Sequence, residues 1–258
     1  MRPRLVVDRE AEELPPGFTT DGTLLGGRVR FKQPARGYRV AIDPILLAAS
    51  VPAEEGQRIL DLGAGAGAAA LCLAARVAGC RVDCLEAQGE LARVAAGNVS
   101  ANKLDRSIIV HVGDLRRAPA DLPRNGFDHV MTNPPYHAAQ GADPPPDHAK
   151  RRATVDELGI EAWVDAALKF LKPRGRLAII HRADRLDELI LALGGRTGEV
   201  TVIPLWPRAG QPARRVILRA RKGARSPALL SAGLVLHRDD GGFTPEADAI
   251  LRGAGALE

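Results

Sequence analysis

The stretch "RILDLGAGAGAAALCLAARVAGCRVDCLEA", Arg58–Ala87, decides the fold. "RILDL" is a short apolar run ending in glycines, as a strand buried on both faces does. "AAALCLAARVAG" carries small and apolar residues and is closed by Gly79, the usual end of a helix. "CRVDCLEA" is a second apolar run. Strand, glycine turn, helix and strand within about thirty residues form a βαβ unit, whose strands pair in parallel.

The rhythm continues downstream. "GELARVAAGNVSANKL" reads as a helix, "SIIVHVGD" as a third strand and "FDHVMTNPPY" as a fourth. "IEAWVDAALKFLKPRG" is an amphipathic helix stopped by Pro173 and Gly175. "RLAIIHR" is a fifth strand, "RLDELILALGG" another helix, and "EVTVIPLWPR" and "RRVILRARKG" two more strands. The expected fold is α/β and Rossmann-like: a mostly parallel seven-stranded sheet with helices on both faces. Upstream, "GRVRFKQPARGYRV" alternates around a Pro/Gly interruption, which predicts a small N-terminal β-hairpin extension, and "DPILLAASV" reads as a short helix opened by Asp–Pro. The first 20 residues are charged and read as loose, and "GADPPPDHAKRRAT" reads as a mobile loop. The expected division is an N-terminal extension over 1–50, a cofactor-binding domain over 51–225 and a C-terminal extension packed on it over 226–258.

Composition excludes several classes. The chain has 258 residues, 45% hydrophobic and 26% charged, and no apolar run long enough to span a membrane. The N-terminus lacks the pattern of a signal peptide, so a cytoplasmic location is expected. Cys72, Cys80 and Cys84 have no partner Cys/His pair at zinc spacing; they read as buried reduced thiols, and no metal site is expected. Net charge is +5, and it is segregated. Gly22 to Ile42 holds Arg28, Arg30, Lys32, Arg36 and Arg39 without an acid, and Val200 to Arg238 holds Arg208, Arg214, Arg215, Arg219, Arg221, Lys222, Arg225 and Arg238 without one. With Lys150, Arg151 and Arg152, these segments predict a phosphate-binding face for a nucleic acid. Aromatics are only 3%, too few for an extended base-stacking platform.

In "DLGAGAGAAAL", Gly63, Gly65 and Gly67 permit a tight turn and let a ligand reach the backbone. Asp61 ends the first strand, Glu86 the second and Asp114 the third. Strand ends on one side of such a sheet line a single crevice. Glu86 suits a pair of ribose hydroxyls and Asp114 an adenine amino group; each is alternatively a cap or turn residue. A dinucleotide would set its pyrophosphate beside Asp61, and the loop lacks the Lys–Ser/Thr of a triphosphate site. An acidic crevice suits adenosine joined to a cationic amino acid, which describes S-adenosylmethionine.

"DLGAGAG", "LEA", "GD" and "NPPY", in this order, resemble the class I S-adenosylmethionine-dependent methyltransferases that modify amino groups. The segments "RGYRVAIDPILLAASV", "FLKPRGRLAIIHRADRLDEL" and "PLWPRAGQPARRVILRARKG" are similar to the bacterial enzymes that methylate N6 of adenine-37 in a valine tRNA. The likeness spans roughly residues 22–222. It implies that Asp61, Gly63, Gly65, Glu86 and Asp114 contact the cofactor, with Asp43, Ala64, Gly67, Ala87, Leu115 and Asn133 in the same expected set.

The Asn-Pro-Pro-Tyr stretch then has a chemical reading. The lone pair of an adenine amine is delocalised into the ring, so the amine is a poor nucleophile. Two acceptors, Asn133 Oδ1 and the Pro134 carbonyl, would hold its N–H groups and turn the lone pair towards the methyl donor. Pro134 and Pro135 stiffen the loop, and Tyr136 stacks on a base taken out of its strand. The alternative is a plain turn. His137 and His181 read as structural. The expected activity is methylation of an RNA adenine on N6, in tRNA, by a monomer or homodimer; the alternatives are a protein glutamine N5-methyltransferase and a small-molecule O-methyltransferase.

Overall fold

A computed structural model describes residues 14–15, 17–36, 39–135 and 158–257. The chain opens with strands β1 (Thr19–Leu24) and β2 (Val29–Pro34), followed by helix α1 (Asp43–Ser50). The βαβ core comprises β3 (Arg58–Leu62), α2 (Ala68–Arg76) and β4 (Arg81–Glu86), then α3 (Gly89–Ala101), β5 (Ile108–Val112) and β6 (Phe127–Thr132). After these come α4 (Gly159–Phe170), β7 (Leu171–Arg182), α5 (Leu186–Leu193), β8 (Thr197–Trp206) and β9 (Arg215–Lys222). Two short strands, β10 (Leu229–Leu230) and β11 (Leu234–Val235), and helix α6 (Pro245–Leu251) complete it.

The main sheet runs β10-β8-β9-β7-β6-β3-β4-β5, with β11 also on β8. Only β9 is antiparallel to its neighbours. The seven expected strands are present, and β10 and β11 extend the β8 edge to give a nine-stranded sheet. Strand order reverses at β3, whose neighbours are β4 on one side and β6 on the other. That is where a crevice opens at the carboxyl ends of the strands. One face packs on α1, α2, α3 and α6 through Leu47, Ile59, Leu71 and Val82, all buried. The other packs on α4 and α5 through Leu60, Phe127, Val164 and Leu189. Phe127 and Phe170 meet edge to face at 6.2 Å.

Three local expectations change. The hairpin turns at Leu25–Gly27, so its first strand, Thr19–Leu24, precedes the segment expected to form it and takes in only Thr19 and Thr20 of the residues read as loose, while Pro34 ends its second strand. Its free edge is docked by two amides one helical turn apart, Asn98 on α3 and Asn102 just past its end: Asn98 bonds both Lys32 N–H and Lys32 carbonyl (2.7 and 2.8 Å), and Asn102 bonds both groups of Arg30 (2.9 and 2.7 Å). Asn98 also donates to Ala66 O in the glycine loop, so the hairpin and the loop share one anchor. Helix α4 ends at Phe170, before the expected stop, because Lys172 precedes a proline and disfavours helical backbone. The following strand therefore starts at Leu171 and bulges against β6, with Arg174 at φ +66. All three cysteines are buried and free, and among the described residues no helix is long and apolar enough to cross a membrane.

Candidate active site

The glycine loop is held from two sides. Gly63 and Ala64 N–H donate to Leu85 O at 2.8 and 3.1 Å, and Gly65 N–H donates to Glu86 Oε2 at 2.8 Å. Glu86 Oε1 accepts from Gln88 N–H at 2.9 Å. Each oxygen keeps a second lone pair, so Glu86 clasps the loop and can still accept from a ligand hydroxyl. Gly63, at φ +77, lies against the indole of Trp163 on α4; a Cβ there would stand 2.7 Å from Cζ3 and Cη2. Gly65, at φ +57, faces open space: a Cβ would meet no described atom within 4 Å. Gly67, at φ +84, turns the chain into α2 and brings no capping side chain.

Asp61 supplies that cap. Its Oδ2 accepts from Ala70 N–H at 3.1 Å, satisfying an amide in the first turn of α2. Asp61 is 3% exposed. Burial pushes its carboxyl up to about 7, with nearby Glu86 adding to the shift. Burial likewise raises Glu86, which is 6% exposed. Two buried carboxylates beside an open glycine turn disfavour a pyrophosphate and suit a cationic, hydroxyl-bearing ligand.

The fourth strand joins this edge directly. Thr132 lies opposite Leu62, and its hydroxyl donates to Leu62 O at 2.7 Å, one residue before Gly63. Asn133, half-buried, and Pro134, buried, follow at once. Pro135 is half-buried, while Tyr136, His137 and Lys150–Arg152 lie outside the described residues.

The remaining candidates differ in availability. Asp43, in the first turn of α1, is buried and takes Arg215 Nε at 3.1 Å at the start of β9. Asp114 is gripped by Arg116 through Nε (2.9 Å) and Nη2 (2.6 Å), which holds its carboxyl below the usual range. An adenine amino group at Asp114 would share that carboxylate with the guanidinium. Ala64 and Leu115 are half-buried, and Ala87 is exposed just beyond Glu86. His181 is buried near the end of β7; burial first, then Arg185 and Arg182, lowers its pKa to about 4, so it is neutral at pH 7.

Trp163 and Asn98 escaped the sequence reading. The first is one apolar residue in an amphipathic helix, and the second is one polar residue in a helix with no motif around it. A tryptophan in the helix behind a glycine loop is a usable signal only once that helix is known to cross it.

The basic segment around Arg208–Arg225 divides. Because β9 runs against the rest of the sheet, Arg215 lies beside Arg182 and Leu205 at the carboxyl edge, whereas Lys222 lies opposite Thr197 at the far edge. Arg221 binds Glu199 and Arg174 O, and Lys222 Nζ caps Leu168 O, Leu171 O and Asn125. Arg28 Nη1 donates to Gly253 O, which ties the hairpin to the C-terminal segment.

Residues 42–202 match the family described as the methyltransferase small domain. A tRNA1(Val) (adenine(37)-N6)-methyltransferase of Aeromonas hydrophila is 30% identical over 210 residues, covering 80% of this chain and 85% of that one. A protein of the same description from Porphyromonas gingivalis is 29% identical over 240 residues, covering 85% and 89%. Among solved structures, a predicted O-methyltransferase from Agrobacterium tumefaciens superposes with a TM-score of 0.71 at 31% identity, over 83% of this chain and 98% of that one. A tRNA (m1A58) methyltransferase from Aquifex aeolicus shares the fold, with a TM-score of 0.54 at 17% identity over 76% and 73%.

Proposed function

The chain belongs to the methyltransferase small-domain family, and on that premise we propose that it transfers a methyl group from S-adenosylmethionine to the exocyclic N6 amine of an adenine in tRNA. The observation that supports this reading is the Thr132–Leu62 bond, which ties the residue before Asn133 to the residue before Gly63. Similar chains described as tRNA adenine-N6 methyltransferases support the choice of substrate.

The cofactor, when bound, supplies an electrophilic methyl group on a sulfonium. Glu86 would hold its ribose and Asp61 its cationic end, over the open side of Gly65. Asn133 Oδ1 and the Pro134 carbonyl accept the two N–H groups of the target amine. They would orient its lone pair and stabilise the positive charge that grows on nitrogen as the methyl group passes to it from sulfur, which would leave as a neutral thioether; the methylated nitrogen would then release one proton to water. Tyr136 stacks on the extruded base. Arginines at the carboxyl edge and on the hairpin take phosphates, so binding falls steeply with salt. The reaction belongs in the cytoplasm, with the tRNA.

Mass spectrometry of tRNA nucleosides tests this reading. A deletion strain loses N6-methyladenosine from a tRNA and regains it on complementation; an unchanged level in every tRNA overturns it. The Agrobacterium protein, described as a predicted O-methyltransferase, favours a second reading. Transfer of tritiated methyl to phenolic compounds and not to bulk tRNA would establish that one. Label in a protein glutamine would point to a third.

Asp61 also makes cofactor binding pH-dependent. Its carboxyl carries a proton below about 7, and a cation alongside favours the ionised form. Binding therefore releases a proton, and affinity rises between pH 6 and 8, by up to about tenfold per unit below the pKa. Calorimetry in two buffers of different ionisation enthalpy reads the released proton, and Asp61→Asn abolishes the slope. The sign for stability is opposite. A raised carboxyl pKa contributes stability that is complete below the unfolded value, 3.8, and lost as pH rises through about 7. Asp61→Asn keeps an oxygen for Ala70 and melts higher than wild type at pH 8, with no gain near pH 4.

A further inference from the structure

Beyond the site, the carboxyl edge continues to β8, where the chain builds a second concavity. A cavity of about 500 Å³ is lined by Trp206, Ala209, Gly210, Gln211, Pro212 and Val235. It is an open hollow with a mainly apolar lining, which suits a flat group laid against its wall and not an enclosed small ligand. The aromatic wall is rigid. Val235 of β11 pairs beside Trp206, Leu236 N–H donates to Trp206 O at 2.8 Å, and the indole Nε1 donates to Ala232 O at 3.0 Å. Gly233, at φ +80, permits this close approach: a Cβ there would stand 2.7 Å from Nε1 and 2.3 Å from Pro204 O. With its N–H already bonded and its ring half-exposed, Trp206 offers a π surface and no spare donor.

The rim is cationic. Arg208 and Arg214 are exposed at the two ends of the loop that walls the cavity, and neither pairs with an acid among the described residues. Their neighbours differ: Arg182 pairs with Asp184, and Arg215 with Asp43. No acidic residue occurs from Val200 to Arg238. A fixed aromatic surface in an open, mainly apolar hollow, with two guanidinium groups lacking acidic partners at the ends of its loop, matches a nucleobase flanked by phosphates.

We infer that this concavity is a base-binding subsite, which stacks one unpaired nucleobase of the RNA on Trp206 while Arg208 and Arg214 hold the adjoining phosphates. The inference rests on the RNA reading above and names a part of the substrate that reading leaves open. Thr132, Ile179, Leu218 and Val202 form one row across the sheet. Trp206 stands three strands and four residues from Thr132 in that frame, about 20 Å away. The subsite therefore binds a base other than the methylated one, and it governs choice of RNA and KM, not turnover.

The test uses the full chain and two readouts. Transfer to tRNA is measured for Trp206→Ala, Trp206→Phe and the double variant Arg208→Ala/Arg214→Ala, with cofactor affinity from calorimetry as the check on folding. Trp206→Ala raises KM for tRNA about tenfold and changes kcat less than about threefold, whereas Trp206→Phe, which retains a ring, stays near wild type. The arginine variant raises KM and flattens its salt dependence. Independently of transfer, a single-stranded oligoribonucleotide quenches tryptophan emission saturably in the wild type; the quenched component is that of the half-exposed Trp206 and is lost in Trp206→Phe, in which only the buried Trp163 still emits. Unchanged KM in a folded Trp206→Ala, or absence of saturable quenching by RNA while tRNA is methylated, overturns the subsite. Saturable quenching by a peptide and not by RNA overturns it too. Quenching without methylation of any tRNA upholds the subsite and overturns the substrate proposed above.

Discussion

Asn133→Ala lowers kcat by about two to three orders of magnitude and leaves the cofactor Kd within about twofold, the scale of losing one preorganised contact made only in the transition state. The residue follows Thr132, which is bonded to the end of β3, so the amide sits on a stiff strand end. Pro134 and Pro135 come next and permit little rearrangement. Truncation removes one acceptor of the target amine and leaves one N–H unsatisfied as positive charge develops on nitrogen. Asn133→Asp restores an acceptor but adds a negative charge at the sheet edge that already carries Asp61 and Glu86, so it recovers activity only in part. Single-turnover measurements with saturating cofactor separate transfer from release. A single-turnover rate within about fivefold of wild type for Asn133→Ala removes the role assigned to this side chain.

Gly63→Ala has the second large effect, and it acts on the fold before the chemistry. A left-handed backbone at φ +77 costs a residue with a Cβ about 1 kcal/mol. The larger cost is the indole. Trp163 is 9% exposed, and the new methyl would overlap two of its ring carbons at 2.7 Å. Either α4 shifts or the loop leaves its bonds to Leu85, and either is an overpacking cost of about 1–3 kcal/mol. A melting temperature lower by about 10 °C, with cofactor affinity weakened at least tenfold, is expected. Gly65→Ala is the contrast, because that position faces open space. It destabilises the fold by only about 1 kcal/mol, yet places a methyl where the ligand must lie and so weakens cofactor binding with little change in melting. If both variants melt alike and bind alike, Trp163 does not buttress the loop.

The strand–helix alternation, the glycine turn and the order of Asp61, Glu86, Asp114 and Asn133 are local patterns, and local patterns are legible in a sequence. A buried parallel strand reads as a short apolar run, and its end in such a sheet reaches the same edge as the others. The partners of Asp61 and Glu86 were not legible, because they come from other parts of the chain, and Arg116, only two residues from Asp114, meets it because the backbone turns back there. Asp114 looked free for a ligand until Arg116 was seen to grip it, and Glu86 and Asp61 proved also to hold the loop and cap α2. The pairing of Asn98 and Asn102 with the hairpin edge had no sign in the sequence, because it joins residues more than sixty positions apart. The run of arginines from Arg208 to Arg225 looked like one patch; the reversed direction of β9 carries its ends to opposite edges of the sheet. Composition and periodicity determined which elements form and in what order. Only the packed structure decided which charges remain available to a ligand, because that depends on which group the folded backbone turns towards each charge: from a distant element for Arg215 and Asp43, from two residues away for Asp114 and Arg116.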